Sequence, residues 1–104
     1  MVTVRVQPGV CGFTAEIEAT ADEALNVCLV VRSTCPQIQR LGEALTQVSA
    51  LELLRRPIQE TTLYQAAGAA RVHVACPIPS AMAKAIEVAA GLALPGDVHV
   101  TMLP

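Results

Sequence analysis

The chain has 104 residues, 53% of them hydrophobic, and a formal net charge of −2. Its length fits one domain, 1–104, able to bury a core without disulfide staples, and so apolar a composition excludes disorder. One Phe and one Tyr leave no aromatic platform for stacking bases, and a pI near 5.6 leaves no basic footprint for phosphates, so nucleic acid is excluded as a partner.

Val2, Val4 and Val6 alternate with Thr3, Arg5 and Gln7, the period of a half-buried strand. Pro8-Gly9-Val10-Cys11-Gly12 breaks that pattern with turn residues. Phe13, Ala15, Ile17 and Ala19 then alternate with Thr14, Glu16, Glu18 and Thr20. Two alternating runs about a Pro/Gly loop predict a hairpin with Cys11 at or near its tip. A third strand follows over Leu25–Arg32, with Val27, Leu29 and Val31 on the apolar face and Cys28 on the other. Three meander strands form an antiparallel sheet with one apolar face.

At Ser33-Thr34-Cys35-Pro36 the period changes. Proline is favoured at the first helical position, and Ile38, Leu41, Leu45 and Val48 recur at helical spacing. Cys35 therefore falls at the helix N-cap. Leu51, Leu53 and Leu54 predict a short second helix stopped before Pro57, and Thr61–Ala67 a third closed by Gly68. The stretch Arg71–Ser80 carries Pro77 and Pro79 and is expected to be extended. A helix over Ala81–Ala90 turns Met82, Ile86 and Ala89 inward and stops at Gly91, which puts Cys76 just ahead of a helix start. Val98, Val100 and Met102 alternate with His99 and Thr101 and predict a fourth strand. The expected architecture is α+β and two-layered, with a three-stranded antiparallel meander, a C-terminal strand and helices on one face.

Mean hydropathy is +0.50, yet no run reaches the roughly 18 apolar residues a spanning helix needs. The residues after Met1 alternate and contain no cationic segment leading into an apolar run, so no signal peptide is visible. The expected location is cytoplasmic, with no membrane partner, and there the four cysteines stay reduced. No two of them form a CxxC pair, so a shared site must be assembled by the fold.

Cys11, Cys35 and Cys76 each lie in a loop or cap beside Gly or Pro, whereas Cys28 lies mid-strand. Two of the three precede helices, where backbone N–H groups favour the thiolate, the form that binds metals. His73, three residues before Cys76, is a candidate fourth ligand, with Cys28 or an outside group as the alternatives. His99 reads as a surface residue. Single buried cysteines also serve as small hydrophobes, so packing without chemistry is the competing reading. No Ser/His/Asp arrangement, paired acids, phosphate loop or dinucleotide fingerprint is present, so no residue is assigned as catalytic and the chain does not read as an enzyme.

With its elements ordered in this way, the chain resembles the iron–sulfur cluster scaffold proteins of the IscU type, equivalent to the N-terminal domain of NifU. In that family one ligand cysteine lies in the first hairpin loop, matched by Cys11. A second opens the helix after the third strand, matched by Cys35, and a third opens the last long helix, matched by Cys76. The resemblance covers roughly residues 1 to 92 and lies in layout. Phe13 stands where the family has an aspartate, Ala75 where it has a ligand histidine, and the family's N-terminal helix is absent. The PGxCGF loop (Pro8 to Phe13), the Cys35-Pro36 helix start and the block from Cys76 to Pro95 also resemble a small prokaryotic family of unknown function. The expectation is a metal-binding or iron–sulfur protein, a scaffold or carrier holding zinc or a cluster through Cys11, Cys35 and Cys76, with His73 added for a metal. A sulfur donor and a cluster or metal acceptor would be its partners. The alternatives are a cysteine-based sulfur acceptor, or persulfide carrier, and an interaction module without chemistry.

Overall fold

The computed structural model describes residues 1–104. Its strands β1 (Val2–Val6), β2 (Ala15–Ala21) and β3 (Asn26–Ser33) pair antiparallel in sequence order. The alternation read from the sequence sets their faces. Ala15, Ile17 and Ala19 of β2, and Val27 and Leu29 of β3, are buried, while Glu16, Glu18, Cys28 and Arg32 lie on the opposite face. On that wet face Glu16 bridges Arg5 (3.2 Å) and Arg32 (3.7 Å), and Arg32 also reaches Glu18 at 2.6 Å. The Glu18 hydrogen bond raises the Arg32 pKa further above its ordinary value.

The apolar face is covered by α1 (Pro36–Ala44), packed on β3, and α4 (Ile78–Ala89), packed on β1 and β2. Ile38 and Leu41 from α1, Ile78, Met82 and Ile86 from α4, and Leu63 from α3 (Thr62–Ala69) are fully buried against Ile17 and Val27. The two-layer α+β arrangement is therefore as expected, with the helices on one face.

The fourth strand is not where the periodicity placed it. Residues 97–104 form no strand, and the sheet is completed by β4 (Gln47–Ser49), which pairs antiparallel with β3. Leu45 and Val48 lie at helical spacing from Leu41, yet α1 ends at Ala44. Val48 is buried by joining the sheet opposite Val27. A three-residue strand is too short to display an alternation of its own, so the helical period ran through it. From β4 the chain enters α2 (Ala50–Arg55) directly, with the Ser49 hydroxyl accepting from the Glu52 amide. A single 3₁₀ turn, Ile58–Glu60, follows Pro57.

Two helix ends share one geometry. At α4 the Gly91 amide donates to Val88 and the Leu92 amide to Glu87, with Gly91 at φ +73°. At α3 the Arg71 amide donates to Gly68 and the Val72 amide to Ala67, with Arg71 at φ +61°. Both are Schellman caps. Gly68 lies inside α3, and the helix stops at an arginine in the left-handed region, a position where glycine is the usual signal.

Candidate thiol site

Strand register assembles the site. Val6 pairs with Ala15 and Ala15 with Ser33, so the β1–β2 loop and the β3–α1 junction share one end of the sheet. Cys11 lies in that loop, exposed, in a turn closed by the Gly12 amide on the Gly9 carbonyl at 3.0 Å. Gly9 (φ +97°) and Gly12 (φ +72°) take up the left-handed backbone that lets the loop reverse. Phe13, expected to open the second strand, is exposed and precedes β2.

Cys35 is the N-cap residue of α1, as expected, and is half-buried. Its sulfur does not cap the helix. It donates to Gln37 Oε1 at 3.3 Å, while its own amide donates to Ser33 Oγ at 3.2 Å. Ser33 Oγ in turn donates to the Thr14 carbonyl (2.9 Å), and Gln39 Nε2 donates to the Ser33 carbonyl (2.8 Å). This relay ties the Cys35 backbone to the base of the loop that carries Cys11.

Cys76 approaches the same end from the helix layer. The expected extended stretch over 71–80 is instead broken by a turn at Val74-Ala75, in which the Cys76 amide donates to the His73 carbonyl at 3.0 Å. The α4 helix then begins at Ile78, three residues earlier than expected, because Pro79 falls in its first turn, where no amide is needed. Cys76 is half-buried, and His73 is exposed on the turn.

The three cysteines form one electrostatic neighbourhood. Burial pushes the Cys76 thiol pKa above its ordinary value, and charge on Cys11 and on Cys35 pushes it further, against a single opposing hydrogen bond from the Ile78 backbone. The helix start lowers this thiol as expected, but desolvation outweighs the one amide and the net shift is upward. Cys28 is not part of the group. It is exposed on the outer sheet face, paired between Thr20 and Gln47, about 17 Å along β3 from Ser33 at about 3.3 Å per residue. No set of three or more His, Cys, Asp and Glu side chains is arranged to hold a metal ion.

Sequence comparison decides the relationship. A family model, the family of unknown function DUF6951, matches residues 2–102. The chain belongs to DUF6951. No curated protein matches it. No solved structure matches it either. No helix of this DUF6951 chain is long and apolar enough to cross a membrane.

Proposed function

We propose that the chain binds a soft cation, either a zinc ion or an iron–sulfur cluster, through Cys11, Cys35 and Cys76. The observation that supports this is that Cys11, in the β1–β2 loop, and Cys35, at the start of α1, both lie close enough to Cys76 to act on its thiol, so three separate segments bring sulfur to one region. Ionised together they repel one another, and a thiophilic cation converts that repulsion into ligation. Zn–S bonds of about 2.3 Å require the sulfurs to lie within about 4 Å of one another. No such set is assembled in this structure, so binding requires the three segments to draw closer together. Three protein ligands leave a fourth position for His73, three residues from Cys76, or for a group from outside, an arrangement suited to a carrier or scaffold. A sulfur donor and a metal or cluster acceptor are the partners this reading implies, in a reducing cytoplasmic setting.

The test is anaerobic purification followed by zinc, iron and sulfide analysis, and then titration of the reduced apoprotein with zinc. The expected result is about one equivalent bound, with three thiols protected from alkylation while Cys28 stays reactive. Failure to take up zinc, together with failure of cluster reconstitution, would defeat the reading. A second reading has its own observation: Cys11 alone of the three is exposed, as a nucleophile accepting sulfane sulfur from a donor persulfide must be. That reading expects one fast-alkylating thiol and protein-bound persulfide on Cys11.

A further inference from the structure

The sheet has a free edge. β1 is the terminal strand, paired only with β2, so one side of its backbone has no ladder partner. Val2 and Val4, which face the helix layer, are only half-buried, whereas Val6 of the same strand is buried. An unpaired edge flanked by part-covered valines is a template for a further strand.

The same chain carries a segment with strand character and no place in its own fold. Beyond the α4 cap, Val98, Val100 and Met102 alternate with His99 and Thr101, and their exposures are 62%, 78% and 86%. Leu94 and Leu103 are also exposed, and the whole segment from Gly96 to Pro104 lies outside every element. Apolar residues at strand spacing, standing in water beside a domain with an open edge, describe two complementary halves of one interface.

Charge selects the register. Pairing Val98 opposite Val4 and Val100 opposite Val2, antiparallel, puts His99 opposite Thr3 and Asp97 opposite Arg5. Directly opposed residues of an antiparallel pair share a face. The valines then complete the apolar side, and Asp97 meets a guanidinium that is 85% exposed although it already bridges Glu16. An arm held away from its own body finds that edge on another molecule, and by two-fold symmetry the exchange is reciprocal.

We propose that residues 97–100 pair with β1 of a second copy of this chain, forming an arm-exchanged homodimer with a sheet extended by one strand per protomer. The experiment is sedimentation equilibrium of the full chain, with hydrogen exchange of the arm amides, for the unaltered protein, Val100→Pro and the double variant Val98→Asp/Val100→Asp. The expected result is a dimer with protected arm amides, and both variants raising the dissociation constant at least about tenfold with unchanged circular dichroism. Three outcomes would overturn it: a monomer with unprotected arm amides, a monomer whose arm amides are protected by folding back, or a dimer that both variants leave intact.

Discussion

At the scale of single residues the thiols separate into distinct chemical kinds. Cys11 is open to solvent, Cys35 donates its S–H to Gln37, and Cys76 is half-buried with its pKa pushed up. Their local settings, Cys11 in a loop and Cys35 and Cys76 ahead of helices, were legible in the sequence because Gly and Pro mark loops and helix starts. The direction of the Cys76 shift was not legible, because it depends on burial against the core, which outweighs the opposing Ile78 backbone hydrogen bond. Alkylation measured residue by residue should show Cys76 still gaining rate as pH rises beyond its ordinary value of 9.0. A Cys76 rate that levels off below that value would contradict the assignment. The linked stability effect has a definite sign. The folded thiol holds its proton more tightly than the unfolded one, so this contribution is full below about pH 9 and is lost as pH rises through the folded value.

At the scale of elements, what the sequence revealed depended on how long each pattern ran. The first three strands and α4 carry several periods each and were found with their faces correct. β4 has three residues, so its Val48 was absorbed into the preceding helical spacing. The segment 97–104 shows the converse, a sound strand pattern with no partner inside its own chain. The α1–β3 contact was invisible for a different reason. A Cβ added at Gly42 would sit 3.0 Å from the Val31 Cβ, so glycine is what lets this helix lie so close to the sheet. Val31 is fixed by its strand, and the helix must give way to any larger side chain. Gly42→Leu should therefore cost about 1–3 kcal/mol by urea denaturation, despite leucine's better helix propensity. An unchanged midpoint would show that the α1–β3 spacing is not constrained.

At the scale of the whole molecule, the candidate site straddles the margin of the core: Cys35 and Cys76 pack against it, whereas Cys11 stands in solvent and is experimentally separable from it. The core lies between the sheet's apolar face and α1, α3 and α4, with Ile17, Ile86 and Met82 fully enclosed. Cys11 and Cys35 lie at one end of the sheet, at the loop that joins β1 to β2 and the β3–α1 junction, with Cys76 near them, and Cys11 is in contact with solvent rather than with that core. Ile86→Ala removes buried methylenes from a fully enclosed position and should destabilise the fold by about 2–5 kcal/mol. That is a large part of the roughly 5–15 kcal/mol that holds a domain folded. Cys11→Ser changes an exposed atom and should leave stability within about 0.5 kcal/mol of the parent. The same substitution removes one of the three proposed ligands, so zinc binding should weaken sharply while the urea midpoint stays put. If Cys11→Ser instead lost stability on the scale of Ile86→Ala in metal-free protein, the loop would be part of the fold's support, and the separation of Cys11 from the core would fail.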